Sequence, residues 1–221
     1  MLENTISFLK KLKRNNNREW FNANKAFYEQ AKAEINQFTL DCIQLIGEFD
    51  KDIAPLNPKD CIFRIFRDAR FSKDKTPYKE NMGIYFARGG KKSKYAGYYI
   101  HIQPGGSFIA GGLWMPESSV LNIVRDEIHF NHKQLRKILS QKDFKRDFQG
   151  LEDHRLKTLP KGYEKDHPAI DLLKYKSFIA TYPFSDQDIS GKKFLDVMIS
   201  KVRYLHPLVH FLNEAIDMKD E

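Results

Sequence analysis

The chain has 221 residues, of which 41% are hydrophobic and 30% are charged, and its formal net charge is +8. This composition is ordinary for a soluble globular protein, which can form a core without disulfide or metal staples. No apolar run is long enough to span a membrane, and residues 1–14 lack the apolar stretch of a signal peptide, so no membrane partner is expected.

The two cysteines are predicted to be reduced core thiols. Cys42 and Cys61 stand nineteen residues apart, and neither belongs to a Cys-x-x-Cys pair or to a Cys/His spacing typical of metal sites. Free thiols are typical of a reducing compartment. We therefore expect a cytoplasmic protein.

The positive charge is concentrated in one part of the chain. Residues 59–94 hold eleven Lys and Arg residues against four acidic residues, or +7, whereas the remainder of the chain carries +1. A local excess of this kind indicates a surface for an anion, a phosphate group or a nucleic acid. The alternative is a solvated loop whose cations are paired with neighbouring acids.

The first fifty residues are predicted to be helical. Residues 5–14 place apolar side chains at helical spacing, and the asparagine run at 15–17 supplies a turn. A long helix is then predicted from about Arg18 to Phe49, because one apolar stripe repeats at intervals of three and four residues. That stripe consists of Phe27, Ala31, Ile35, Phe38, Cys42, Leu45 and Phe49.

A mainly antiparallel sheet is predicted in the middle of the chain. Its strands are rich in aromatic and β-branched residues, and Pro104-Gly105-Gly106 has the composition of a hairpin turn between two of them. The predicted strands are 62–67, 83–88, 97–103 and 107–114, with a last strand at 177–184.

Helices are predicted again after the sheet, and residues 143–163 are given no element. The C-terminal apolar stripe from Phe194 to Ile216 predicts a helix that Pro207 kinks or divides. Helices at both ends of a central antiparallel sheet indicate an α+β fold, which we expect to be a single domain over residues 1–221. The shorter helices are predicted at 116–128, after Asn131, and at 166–174.

The loop that follows the first predicted strand has an unusual density of charge. Guanidinium groups bind phosphate and carboxylate groups bidentately, and lysines add positive charge. Asp68 and Asp74 in the same loop offer the alternative that its cations are satisfied in a structural salt-bridge network. The predicted ligand-binding residues are Arg64, Arg67, Arg70, Lys73, Lys75 and Lys79.

Asp68 and His101 are the candidates for acid/base catalysis. His101 shares a strand face with Tyr99, so we expect it to face a cleft beside the charged loop. The alternative for a single histidine in a strand is a hydrogen-bonded packing role.

No metal site is predicted, and the sequence leaves any cofactor unknown. His129 and His132 have the i, i+3 spacing of helical metal ligands, but Asn131 is expected to cap a new helix between them and no third ligand is evident. The P-loop, the Rossmann glycine fingerprint, the nucleophile elbow and the zincin motif do not occur. The sequence therefore indicates no particular reaction.

Several segments of the chain form a recognisable set of motifs. The most specific is the run Arg67-Asp-x-Arg-Phe-Ser-Lys-Asp-Lys-Thr-Pro-Tyr-Lys79, and the others are 15–21, 98–101, 111–114, 160–163 and His167-Pro168. Together they resemble one family, the conserved-hypothetical family catalogued as domain of unknown function 2461, and the resemblance covers nearly the whole chain. It implies a single soluble domain and singles out the basic loop, but it supplies no function.

Three functions are compatible with these observations. The first is the binding of a phosphate-bearing or otherwise anionic small ligand at residues 64–79, with an enzymatic role left open. The second is nucleic-acid binding through a flexible basic tip at 88–94, with Tyr95, Tyr98 and Tyr99 available for stacking. The third is a non-catalytic interaction domain whose charged loop is structural. The sequence does not indicate an oligomeric state.

Overall fold

The structure, a computed structural model, describes residues 1–68 and 70–219. Four strands form an antiparallel sheet in the order β1-β2-β3-β4, and helices precede and follow it, so the predicted α+β class is confirmed. The strands are β1 (Met82–Ala87), β2 (Gly97–Ile102), β3 (Ser107–Leu113) and β4 (Phe178–Phe184). The helices in the described residues are α1 (Glu3–Arg14), α2 (Arg18–Ala23), α3 (Lys25–Gly47), α4 (Pro58–Cys61), α5 (Ser118–Leu139), α6 (Lys142–Phe148), α7 (Ile170–Leu173), α8 (Asp186–Ser190) and α9 (Phe194–Asp217).

The chain divides into two compact units, each assembled from separate segments. The first unit comprises Met1–Lys91, Tyr99–Ile109 and Pro183–Ser200. The second comprises Lys92–Tyr98, Ala110–Tyr182 and the chain from Lys201 onward. The single domain over residues 1–221 stays a prediction.

The core of the first unit forms where α1 packs against α3. α1 buries one face of regularly spaced side chains that includes Phe8, Leu9 and Leu12, while its acidic first turn and basic last turn complement the helix dipole. Phe38 of α3 stacks on Phe194, with ring centroids 5.6 Å apart. The apolar stripe predicted for this segment therefore forms the core, with Ala31, Ile35, Phe38 and Cys42 buried.

The predicted single helix from Arg18 to Phe49 is wrong, because the chain breaks at Asn24. The backbone of Asn24 has φ −110° and ψ 24°, outside the helical region. Its side-chain amide donates a hydrogen bond to the carbonyl of Trp20 at 2.9 Å, which ends α2, and α3 begins at the next residue. Short polar side chains that bond to the local backbone in this way compete with helix continuation.

The predicted strand at 62–67 is also wrong, since this segment forms only two isolated bridges, Ile62 to Ile84 and Phe66 to Tyr78. The backbone N–H of Phe63 donates to the carbonyl of Gly83 at 2.9 Å, in β1. At Phe66 the segment pairs instead with Tyr78, at the other end of the basic loop. Because it changes partner within five residues, no continuous ladder forms.

The second unit is organised around a close approach between β3 and β4. Gly112 has φ +123°, and a Cβ atom at this position would lie 1.9 Å from the carbonyl oxygen of Phe178, so only glycine fits. On the same strand, a Cβ at Gly111 would lie 2.9 Å from the side chain of Leu205, which is fully buried. α9 therefore packs directly on Gly111 of β3.

The remaining helices differ from their predictions in detail. α9 runs without interruption through Pro207, so the predicted division of this helix does not occur. Asn131 has a non-helical backbone inside α5, at a kink where two helical segments meet, so the helix predicted after Asn131 is confirmed. α6 was not predicted, although it buries Phe144 and Phe148. α7 is shorter than the helix predicted at 166–174.

Candidate functional site

The basic loop is attached at its root to the segment 15–21, which also carries the family resemblance. The side chain of Asn16 donates to the carbonyl of Tyr78 at 3.0 Å and accepts from its N–H at 3.2 Å. Phe21 stacks on the ring of Tyr78, with centroids 4.0 Å apart and an interplanar angle of 11°. The backbone N–H of Arg67 donates to the carbonyl of Pro77 at 2.9 Å. These contacts hold the two ends of the loop together.

The acids of this loop hold two of its arginines. Arg67 pairs with Asp74 and donates to the hydroxyl of Thr76. Arg70 makes a two-point contact with Asp68, at 2.9 and 2.7 Å. The backbone N–H of Thr76, the Arg67 guanidinium and the Thr76 hydroxyl lower the pKa of Asp74 to about 2, and Arg70 lowers the pKa of Asp68. These contacts match the structural alternative for the loop.

The other four predicted ligand residues differ in their surroundings. Lys73 is exposed, and the ammonium of Lys75 lies 3.4 Å from the carbonyl oxygen of Arg70. The ammonium of Lys79 lies 5.6 Å from the ring centroid of Phe63, and burial together with the nearby Arg64 guanidinium lowers its pKa. Within residues 1–68 and 70–219, the side chain of Arg64 has neither an ion pair nor a hydrogen bond.

Arg64 lies on the wall of a cavity of about 380 Å³ in the first unit. One face of α3 supplies four of its lining residues, at spacings of four, three and one, and the segment that leads into the basic loop supplies four more. α4 and the first residue of β1 complete the wall. The lining residues are Tyr28, Lys32, Ile35, Asn36, Lys59, Ile62, Phe63, Arg64, Ile65 and Met82.

The cavity is positively charged. Its wall carries Lys32, Lys59 and Arg64, and among the described residues no carboxylate lines it. Glu29 lies 3.4 Å from the Lys32 ammonium, but both side chains are about half exposed and such pairs contribute little. Burial and Glu29 raise the pKa of Tyr28, so its hydroxyl keeps its proton and can donate to an anion. The arrangement can therefore hold a negatively charged group.

The remainder of the cavity wall is apolar. Ile35, Ile65 and Met82 belong to the buried core, whereas Ile62 and Phe63 are half-buried. Asn36 and Tyr28 supply its only uncharged polar side chains among the described residues. The cavity thus combines a cationic part with an apolar part.

The sequence predicted Arg64 as a ligand residue but gave no signal for the two lysines of the cavity wall. Lys32 lies beside the apolar stripe of α3, one residue past Ala31, where a solvated position is expected. Lys59 precedes the first predicted strand and belongs to no predicted element. A lysine in either position is too common in sequences to identify a site.

His101 and Asp68, the predicted acid/base pair, have separate partners. The Nδ1 atom of His101 lies 3.0 Å from the hydroxyl of Tyr99, and Nε2 lies 2.8 Å from Oε1 of Gln103. Burial lowers the pKa of His101, against an opposing effect of Gln103, and so favours the neutral ring. In the described part of the chain no hydrogen bond joins Asp68 to His101. Their catalytic role stays a prediction.

A third histidine, His167, lies beside His129 and His132 in the second unit. Its ring centroid is 4.7 Å from that of His129 and 6.0 Å from that of His132. The Nδ1 atoms of His129 and His132 are buried and have no hydrogen-bond partner among the described residues. Even so, no group of three His, Cys, Asp or Glu side chains in residues 1–68 and 70–219 has an arrangement that could hold a metal ion.

The basic tip at 88–94 is attached at several points. Arg88 donates to Asp52 at 2.8 Å, and the side chain of Lys91 donates to the carbonyl of Lys59. Tyr98, expected to be available for stacking, is instead fully buried, and its hydroxyl lies 2.8 Å from Nδ1 of His206. That expectation is wrong, and nucleic-acid binding at this tip stays a prediction.

Comparison with known proteins supplies a family and no relative of known activity. None of the helices in the described residues has both the length and the apolar character needed to cross a membrane. No curated protein and no solved structure matches the chain. A family model matches residues 4–211, which confirms the resemblance, and the chain belongs to the family described as conserved hypothetical protein (DUF2461), whose function is unknown.

Proposed function

We propose that the protein binds a small anionic ligand, with a phosphate or carboxylate group, in the cavity beside Arg64. The observation that carries this proposal is the set of three cations on the cavity wall without a carboxylate among the described residues. Arg64 contributes most, because its guanidinium has no acceptor in the described residues and its planar fork matches phosphate and carboxylate oxygens.

The electrostatic contribution of such a site is substantial. Two unit charges 4 Å apart near a protein surface attract each other by about 4 kcal/mol at an effective dielectric constant of about 20. Lys79 supports the same conclusion, since the Arg64 guanidinium is one cause of its lowered pKa. Repulsion between these cations is relieved when an anion binds between them.

The basic loop has a supporting role in this proposal. Its arginines at positions 67 and 70 are held by Asp74 and Asp68, so the loop stabilises the segment that carries Arg64 without using those two cations for the ligand. Binding requires no catalytic step, and an enzymatic role is not part of the proposal. A cytoplasmic location is part of it, supported by two buried cysteines that are free thiols.

The test is a titration with inorganic phosphate, followed through the backbone amide resonances of residues 62–65 at constant ionic strength. Arg64→Gln is expected to weaken binding at least ten-fold, because it removes the bidentate group and its charge. Arg70→Gln is the matched control, since it removes the same charge from a residue outside the cavity whose side chain is 76% exposed.

The Arg70→Gln control distinguishes phosphate binding in the cavity from a response to the net charge of the region. We expect Arg70→Gln to change the affinity for phosphate less than two-fold. Equal losses in the two variants would mean that phosphate responds only to the net charge of the region, and the proposed cavity site would be rejected. Absence of any phosphate-dependent shift in residues 62–65 of the unmodified protein would reject it as well.

A further inference from the structure

We infer that the ligand of this cavity is a phosphate monoester whose organic part is small and apolar. This inference rests on the proposed function and concerns the part of the ligand that the cations do not contact. It follows from the chemistry of the remaining wall, from the number of cations and from the volume of the cavity.

The chemistry of the cavity wall disfavours a ligand whose organic part is polar. Apart from its cations it consists of apolar side chains with one amide, Asn36, and one hydroxyl, Tyr28. A sugar or a nucleoside brings several hydroxyl and ring groups that need hydrogen-bond partners, and each one buried without a partner weakens binding. An alkyl or aryl group needs none, and it gains from the removal of apolar surface from water.

The number of cations favours a dianion. The cavity is lined by Lys32, Lys59 and Arg64. A fourth cation, Lys79, lies near the ring of Phe63, which also lines the cavity. A phosphate monoester has a second pKa of about 6 and carries close to two negative charges at neutral pH. A carboxylate or a sulfate ester carries one charge and leaves more of the positive charge uncompensated. The site therefore discriminates by charge as well as by shape.

The volume limits the organic part. Cavities that hold small ligands span about 300 to 1,000 Å³, and this one, at about 380 Å³, lies near the lower end. Phe63 and Ile62 form the half-buried part of the wall, where a planar or short-chain group can pack beside the phosphate. A single aromatic ring or a short alkyl chain matches these dimensions.

The test compares four probes on the unmodified protein: inorganic phosphate, phenyl phosphate, phenyl sulfate and glucose 6-phosphate. We expect phenyl phosphate to bind at least ten-fold more tightly than each of the other three, because only it combines two charges with an apolar body. Ile62→Ala is expected to weaken phenyl phosphate several-fold more than it weakens inorganic phosphate, whereas Arg64→Gln weakens both to a similar degree.

The outcomes distinguish this inference from the proposed function. If phenyl phosphate binds no more tightly than inorganic phosphate, or glucose 6-phosphate binds as tightly as phenyl phosphate, the inference is overturned and the anion site remains. Equal affinity for phenyl sulfate overturns the preference for a dianion. If none of the probes binds, the proposed function is overturned too. The comparison of probes needs no variant, so it holds even if Ile62→Ala does not fold.

Discussion

At the scale of the residue, Arg64 and Arg67 show how two equivalent positions acquire different roles. They stand three residues apart in one basic segment, and the sequence predicted both as ligand residues. Arg67 is turned onto Asp74 and Thr76, with only 26% of its side chain exposed. Arg64 has no hydrogen bond or ion pair among the described residues, and it borders the cavity. The difference is set by the acid that the loop brings back to Arg67.

The pKa of Asp74 tests that assignment. Its folded pKa of about 2 lies below the ordinary value of about 3.9, so this carboxylate favours the folded loop at neutral pH and loses that effect as the pH falls from about 4 towards 2. We expect Arg67→Gln to raise the pKa of Asp74, as measured by NMR titration of its carboxyl carbon. The raised value should stay below the ordinary one, because the Thr76 N–H bond is the largest cause.

Arg70→Gln is the control for this titration. Arg70 contacts Asp68 and makes no contact with Asp74, so its replacement should raise the pKa of Asp68 alone. A shift of Asp74 in the Arg70 variant, or none in the Arg67 variant, would contradict the pairing described for the loop.

At the scale of the element, α9 supplies the clearest core position. Leu205 is fully buried and faces Gly111, where even one added carbon would lie 2.9 Å away. We expect Leu205→Ala to lower the free energy of unfolding by about 2–5 kcal/mol, through lost burial and the cavity that remains. Chemical denaturation measures this directly.

Val197 offers a matched control in the same helix. Its side chain is 41% exposed, and Val197→Ala should change the free energy of unfolding by less than about 0.5 kcal/mol. If the two variants unfold at the same denaturant concentration, the orientation of α9 described here is wrong.

The histidine cluster between α5 and the segment before α7 should make stability depend on pH. His167 accepts a hydrogen bond from the N–H of Ala169 at Nδ1, and its pKa is lowered by burial and by His129 and His132. Because the unfolded chain binds the proton more readily, stability is highest above the unfolded pKa of about 6.5 and falls as the pH drops below it.

His167→Asn isolates this effect. The side-chain oxygen of asparagine can accept the same N–H bond but does not titrate near neutral pH. We expect the variant to lose part of the decrease in unfolding free energy between about pH 7 and pH 5. His210→Asn changes an exposed histidine outside the cluster, paired with Glu214, and serves as the comparison variant. Identical slopes in all three proteins would exclude a contribution from the cluster.

Local sequence patterns predicted the helices better than they predicted which segments pair with each other in the sheet. The apolar stripes of α3 and α9 and the turn at Pro104-Gly105-Gly106 were sufficient because they act over a few residues. The break at Asn24 was missed, since a side-chain bond to Trp20 decides it and asparagine also occurs inside helices. The segment 62–67 was misassigned because its partners lie elsewhere in the chain.

At the scale of the whole molecule, the charge asymmetry overlaps the region of the proposed cavity site but does not give its geometry. Residues 59–94 hold most of the excess positive charge, and two cavity cations, Lys59 and Arg64, come from this part. The third, Lys32, comes from a helix more than twenty residues earlier, and packing of the first unit brings it to the same wall. The spacing of residues in a single sequence does not show that Lys32 lies on the same cavity wall as Lys59 and Arg64.

The hydrogen bonds between the side chain of Asn16 and the backbone of Tyr78 determine where the chain can be cut. The loop is closed at its root by hydrogen bonds and stacking, while Phe71 near its tip is 96% exposed. Covalent continuity through residues 70–75 therefore contributes little to holding the two sides together. The chain can therefore be cut at the tip of the loop. Two fragments that end and begin there should reassemble without a peptide bond between them, and a reporter inserted there should leave the cavity intact.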